Sequence, residues 1–145
     1  MKKATVFCDG ASMGNPGESG IGVVIHFEGE TYRISEHIGT ATNNVAEYSA
    51  LIRGLERTNA MHLDSIEVFL DSELLVRQVN GIYKVSNEHL KDLHSKVKSL
   101  LKAFKRYSIR HIPRGKNSEA DLLAKKAARK SRKEGVTDIL NSHTA

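Results

Sequence analysis

The sequence contains one cysteine, two prolines and no tryptophan, and aromatic residues make up only 6% of its 145 positions. The single cysteine, Cys8, excludes an intramolecular disulfide, and no cysteine–histidine cluster has the spacing of a zinc site. No apolar run approaches the roughly 18 residues of a membrane span. Met1-Lys2-Lys3 leads straight into a strand-like segment, without the apolar stretch of a secretion signal. The expected setting is therefore reducing and cytoplasmic, with no membrane partner. There is no internal repeat, low-complexity stretch or interior linker. This length suits one domain, with enough chain to bury a core unaided by disulfides or structural metal. The expectation is a domain over residues 1–135 and a loose tail over 136–145.

Apolar residues make up 39% and charged residues 27%, the balance of a soluble globular protein. The formal charge of +5 favours an anionic partner, of which nucleic acid is the commonest.

Residues 4–9 (Ala-Thr-Val-Phe-Cys-Asp) are apolar on both alternating faces, which predicts a central strand ending at Asp9-Gly10. Asn15-Pro16-Gly17 is turn chemistry. Gly20 to Phe27 and Tyr32 to Ile38 read as two further strands joined by Glu28-Gly29-Glu30, completing an antiparallel meander. Val45, Tyr48, Leu51, Ile52 and Leu55 share one face of a helix over about 43–59. A strand at 66–70, a short helix at 72–80 stopped by Gly81, and a helix at 87–104 follow. A strand at 108–112 is stopped by Pro113. The last helix spans about 118–133, with Leu122, Leu123, Ala124, Ala127 and Ala128 inward and Gly135 ending it. The order βββαβααβα predicts an α/β fold of three layers, a five-stranded mixed sheet with helices on both faces.

Four acids fall at element ends. Asp9 closes the first strand and Asp71 the fourth, at the carboxyl ends of what should be adjacent parallel strands, where ligands gather in open α/β sheets. Alternation puts Asp9 on the face of Phe7, and Asp71 on that of Phe69. Glu47 and Asp121 lie in the first turns of the first and last helices. Each acid also has a plainer local role. Asp9 can serve the turn at Gly10, and Asp71 can cap the helix that begins at Ser72. Asn44-Val45-Ala46-Glu47 and Ser118-Glu119-Ala120-Asp121 resemble capping boxes. Brought together, however, carboxylates about 4 Å apart repel by several kcal/mol at an effective dielectric near 20. Such a set calls for a cation, and hard oxygen ligands suit Mg²⁺ or Mn²⁺. Two such ions can activate a water and stabilise a leaving oxygen in phosphodiester hydrolysis.

These residues stand in four ordered motifs. Asp9-Gly10-Ala11-Ser12 with Gly14-Asn15-Pro16-Gly17 resembles the opening signature of type 1 ribonucleases H. Thr42-Asn43-Asn44-Val45-Ala46-Glu47-Tyr48 resembles the second, Asp71-Ser72 the third, and Asn117-Ser118-Glu119-Ala120-Asp121-Leu122-Leu123-Ala124 the fourth. The resemblance covers residues 4 to about 130. It implies a metal-dependent endonuclease that cuts the RNA strand of RNA–DNA hybrids and leaves a 3′-hydroxyl and a 5′-phosphate. Asp9, Glu47, Asp71 and Asp121 would be the catalytic, metal-binding acids around two Mg²⁺ ions, with Mn²⁺ as an alternative. Glu47 would also meet the RNA 2′-hydroxyl. Gly10, Ala11, Ser12, Asn15, Asn43 and Asn44 would face the minor groove, where the 2′-hydroxyl separates RNA from DNA. Thr42 would sit at a DNA-strand phosphate pocket, and Asn43 and Asn44 have helix capping as their plainer role, which can coexist with binding.

The sequence departs from the family pattern in two places. Some members carry a tryptophan-bearing basic protrusion where this chain has only Asn80-Gly81-Ile82-Tyr83-Lys84-Val85-Ser86. Tyr83, which can equally be core packing, and Lys84 are the nearest candidates for a DNA-strand contact. Many members also place a mobile histidine in the loop before the fourth motif. Here that loop is Pro113-Arg114-Gly115-Lys116-Asn117, and His111 lies in the preceding strand, where it can simply pack. Arg114 can hold a phosphate but is a poor proton shuttle near neutral pH. Lysines over residues 91–102, and Lys125, Lys126, Arg129, Lys130, Arg132 and Lys133, make two helices basic. The readings to be separated are an active, monomeric endonuclease without an obligate protein partner, a weak or inactive hybrid-binding module, and a nuclease acting on DNA or branched structures.

Overall fold

A computed structural model describes residues 2–130. The elements are β1 (Lys3–Ser12), β2 (Gly17–Phe27), β3 (Glu30–Ala41), α1 (Asn43–Asn59), β4 (Ser65–Leu70), α2 (Glu73–Val79), α3 (Glu88–Leu101), β5 (Arg106–His111) and α4 (Ser118–Ala128), with a 3₁₀ turn at Arg114–Lys116. The expected order is the observed one. The sheet runs β3-β2-β1-β4-β5. β1/β2 and β2/β3 pair antiparallel, and β1/β4 and β4/β5 pair parallel. The fold is mixed α/β, and β1 is the central strand that its two-sided apolar pattern predicts. α1 covers one face and packs on α3, whereas α4 covers the other face. The core lies mainly between the sheet and α1, where Val6, Cys8, Val23, Leu51, Val68 and Leu70 are fully buried. Among the described residues no helix is long and apolar enough to cross a membrane.

Several boundaries move. β1 does not end at Asp9. Its parallel pairing with β4 stops at Cys8↔Leu70, but the antiparallel ladder with β2 carries it on to Ser12↔Ser19. β2 and β3 lengthen correspondingly, through polar residues that no apolar pattern marks. The 87–104 helix stops at Leu101, although Phe104 stays buried beyond its end. α4 ends at Ala128. Arg132, Lys133, Gly135 and the expected tail lie outside the described residues. Leu122 is 67% exposed instead of inward, because the face of α4 against the sheet is built of Ala120, Ala124, Ala127 and Ala128.

The caps also differ from expectation. Thr42, in extended conformation, accepts from the Val45 N–H at 3.2 Å and caps α1. Glu47 therefore lies beyond the first turn, and the Asn44–Glu47 capping box does not form. Ser72, not Asp71, caps α2 by accepting from Leu75 N–H at 3.3 Å. Asn117 rather than Ser118 occupies the cap position of α4, and no side chain caps that helix. With these local roles removed, Glu47 and Asp71 are left without a structural explanation at the helix ends.

Candidate active site

Asp9 and Asp71 are each the residue after the last parallel pair, Cys8↔Leu70, so the two acids stand side by side on adjacent strands. The Phe7 and Phe69 rings stack with centroids 5.2 Å apart, as their shared face requires. Glu47 arrives from α1, which rests directly on the β1 backbone. A Cβ on Gly10 would lie 2.2 Å from the Ala46 carbonyl carbon and 2.4 Å from the Glu47 nitrogen. Asp121 arrives from α4 by the same device on the other face. A Cβ on Gly22, the cross-strand partner of Asp9, would lie 2.1 Å from the Ala120 carbonyl oxygen, and one on Gly20 would lie 2.4 Å from the Ala128 nitrogen. Only hydrogen in place of a side chain lets both helices approach this closely.

One carboxylate oxygen from each of Asp9, Glu47 and Asp71 lies within 4.8 Å of the other two. Asp9 is 3% exposed and accepts from the Gly10 N–H at 3.0 Å. Burial pushes the Asp9 carboxyl well above the usual range. A hydrogen bond with Glu47 opposes this, while a hydrogen bond with Asp121 and the charges of Asp71 and Asp121 add to it. Burial also pushes Glu47 up strongly, joined by the charge of Asp9, a hydrogen bond with it, and the charge of Asp71. Glu47 Oε2 is buried without a hydrogen-bond partner. Asp121 stands beside the triad. Its partial burial is outweighed by hydrogen bonds with Asp9 and Lys125 and by the charges of Lys125 and Arg114, which hold it below the usual range. Its Oδ2 lies 3.0 Å from Lys125 Nζ. The Cys8 thiol beneath the site is pushed up by burial and by the charges of Glu47 and Asp9, so it stays protonated and inert. Three converging carboxylates, one of which has an orphaned oxygen, are what a divalent cation would satisfy.

The other expected site residues fall around this triad in different ways. Gly10 is buried under α1, and Ala11 is half-buried. The Ser12 hydroxyl lies within reach of the Gly14, Gly17 and Ala41 carbonyls, the last at 2.9 Å, and ties the β1–β2 turn to β3. Asn15 Oδ1 accepts from the Asn43 N–H at 3.0 Å, which joins that turn to the start of α1. Asn43 and Asn44 are exposed, and neither is the cap of its helix. Tyr83 is 46% exposed and not core packing, with the Arg77 guanidinium 5.4 Å from its ring centroid. Lys84 and Arg114 are exposed. His111 is exposed instead of packed. The sequence reading missed two members of the site. Lys125, four residues after Asp121, has a spacing that pairs charges along a helix. Asn117, the first residue of the fourth motif, donates from Nδ2 to Cys8 O at 2.9 Å and to Asp71 Oδ2 at 3.2 Å.

The reverse transcriptase-like family model matches residues 7–127. Ribonuclease HI of Halobacterium salinarum is 40% identical over 124 residues, covering 83% of this chain and 62% of that enzyme. The chain belongs to the ribonuclease H family. A bifunctional protein of Mycobacterium tuberculosis is 38% identical over 128 residues, and the match covers 86% of this chain but 35% of that protein. The chain thus spans about a third to two thirds of these relatives. The solved N-terminal RNase H domain of the mycobacterial protein superposes with a TM-score of 0.84 at 36% identity, covering 87% of this chain and 98% of the domain. LC11-RNase H1, solved in complex with an RNA/DNA hybrid, superposes with a TM-score of 0.80 at 43% identity, covering 86% of this chain and 96% of that one. All four motif acids of this ribonuclease H-family chain lie within the matched residues.

Proposed function

We propose that this chain is a monomeric, divalent-metal-dependent endoribonuclease that cuts the RNA strand of RNA–DNA hybrids and leaves 3′-hydroxyl and 5′-phosphate ends. The observation that carries the reading is the convergence of Asp9, Glu47 and Asp71 with a buried, partnerless Glu47 oxygen. The hybrid bound by LC11-RNase H1 supports the substrate class. Asp9, Glu47 and Asp71 would hold the metal, with Asp121 as the fourth acid at its margin. Mg²⁺ or Mn²⁺ held there, two ions in this reading, would supply the positive charge needed to activate a water and stabilise the leaving oxygen.

The protein's own residues do the rest. Asp121, held below the usual range by Lys125 and Arg114, stands ionised beside Asp9, with its Oδ2 3.0 Å from Lys125 Nζ. Glu47 and the exposed Asn43 and Asn44 share one end of α1, where they would read the 2′-hydroxyl side of the groove. Asn15, linked to Asn43, with Gly10, Ala11 and Ser12, would extend that surface, and Thr42 would adjoin a DNA phosphate. Lys84 and Arg114 carry exposed charge for phosphates, and the exposed ring of Tyr83 offers a stacking or sugar contact.

The test is cleavage of an RNA–DNA hybrid, single-stranded RNA, double-stranded RNA and duplex DNA with Mg²⁺ or Mn²⁺. The expected result is cutting of the hybrid's RNA strand, reduced at least about 100-fold in Asp71→Asn, the lower range for removing a positioned catalytic group. Hybrid binding that persists in chelator, with no cutting in either metal, assigns the chain to a binding module instead. Preferential cutting of DNA would overturn the substrate assignment.

A further inference from the structure

Asparagine is among the strongest helix N-caps, and Asn117 occupies the cap position of α4, yet no side chain caps that helix. The amide is turned into the sheet instead. Nδ2 donates to the Cys8 carbonyl at 2.9 Å and to Asp71 Oδ2 at 3.2 Å, in a residue only 1% exposed. Its Oδ1 is left buried without a partner. An uncapped helix and an orphaned buried acceptor both oppose stability, so stability alone does not account for this orientation.

The placement explains what the amide reaches. Cys8 and Asp71 belong to adjacent parallel strands where their pairing ends. Cys8 immediately precedes Asp9. The Asn117 backbone N–H donates to Arg114 O at 2.9 Å, and its carbonyl accepts from Asp121 N–H at 3.0 Å. One residue therefore ties together the Asp71 carboxylate, the backbone entering Asp9, the 3₁₀ turn and the helical turn that carries Asp121.

We infer that Asn117 is a positioning residue for the metal-binding acids, whose amide fixes the orientation of Asp71 and couples it to the β1 backbone and to α4. The inference rests on the reading of the triad as a divalent-metal site. A carboxylate held by a donor through one oxygen presents the other in a set direction, and partners of this kind raise metal affinity by ordering the ligand before the ion arrives.

The decisive experiment is Mn²⁺ binding to the full chain by calorimetry, without nucleic acid. Asn117→Ser keeps a side chain able to cap α4 but too short to span Cys8 and Asp71. The expected result is affinity about 10- to 100-fold weaker. In hybrid cleavage the defect should appear as a raised Mn²⁺ requirement, recovered at saturating Mn²⁺, with KM for the hybrid unchanged. The double variant Asn117→Ser/Asp71→Asn should bind Mn²⁺ no more weakly than Asp71→Asn alone. Additive losses, or wild-type affinity in a folded Asn117→Ser, overturn the inference. If Asp71→Asn itself binds Mn²⁺ like wild type, the metal-site reading has failed and the positioning role falls with it. Should Asn117→Ser not fold, NMR on the wild type decides. Slow exchange of the Asn117 side-chain amide protons and their shift on adding Mg²⁺ support the role, whereas rapid exchange with no response to Mg²⁺ overturns it.

Discussion

At Asp9 a carboxyl group sits 3% exposed beside Glu47 and Asp71, so it loses hydration while gaining like-charged neighbours. The native state holds its proton more tightly than the unfolded chain does, and the same applies to Glu47. Between the unfolded carboxylate range, about pH 4, and the raised native values, the folded state binds more protons than the unfolded one. Their contribution to the stability of the metal-free protein should therefore be full below about pH 4 and be lost as pH rises through the native values. Urea unfolding in EDTA across pH 4–8 checks this, and Mn²⁺ should flatten the slope; stability rising across that window without metal would contradict it. Asp9→Asn keeps an acceptor for the Gly10 N–H while removing one charge. It should raise metal-free stability near neutral pH by about 1–3 kcal/mol, part of the cost of ionising this buried group, while lowering hybrid cleavage at least about 100-fold. A calorimetric melt and a cleavage assay on one preparation measure both.

Two helices reach the site because three glycines leave room for them. α1 lies on Gly10, and α4 lies on Gly20 and Gly22 through its alanine face. Gly22→Ala would place a Cβ 2.1 Å from the Ala120 carbonyl oxygen, against backbone that cannot step aside alone. The helix must lift, at a cost of about 1–3 kcal/mol or more, and Asp121 moves with it. Gly115 has no atom within 4 Å of its would-be Cβ and is not at positive φ, so Gly115→Ala should stay within about 0.5 kcal/mol of wild type. Chemical denaturation of the two variants tests the contrast, and equal stabilities would remove close approach as the reason for these glycines. The alanine face also explains why Leu122 points to solvent. Midway between Ala120 and Ala124, Leu122 falls on the opposite side of the helix from the residues seated on the glycines.

Over the whole molecule the formal charge is +5, and the exposed Lys84 and Arg114 lie outside the acidic triad. Hybrid affinity measured in EDTA, so that the strand stays intact, should fall steeply with salt as counterions are released. Lys84→Ala and Arg114→Ala should each reduce the slope of log affinity against log salt by about 1. A salt-independent affinity would remove the phosphate-contact reading. Several lysines on α3 are less available than their spacing suggests. Lys91 pairs with Glu88 at 3.0 Å, Lys96 with Glu56 at 3.6 Å, and Lys98 donates to the Val79 carbonyl at 3.2 Å.

The element order, the central place of β1 and the one-face pattern of α1 were legible in the sequence, because alternation, helical period and turn residues are local signals. Which side chain caps a helix was not legible, since Thr42, Asn43 and Asn44 are all competent and backbone geometry chooses Thr42. The reach of β1 past Asp9 was also hidden, because it depends on pairing with a β2 extended through polar residues. Above all, the acids' meeting was decided by tertiary structure. Parallel pairing at Cys8↔Leu70 sets Asp9 beside Asp71, the contact of α1 with Gly10 brings Glu47, and the amide of Asn117 ties Asp71 to β1 and α4. Carboxylates far apart in the chain repel one another, and only the packed sheet and helices hold them close enough to want a cation.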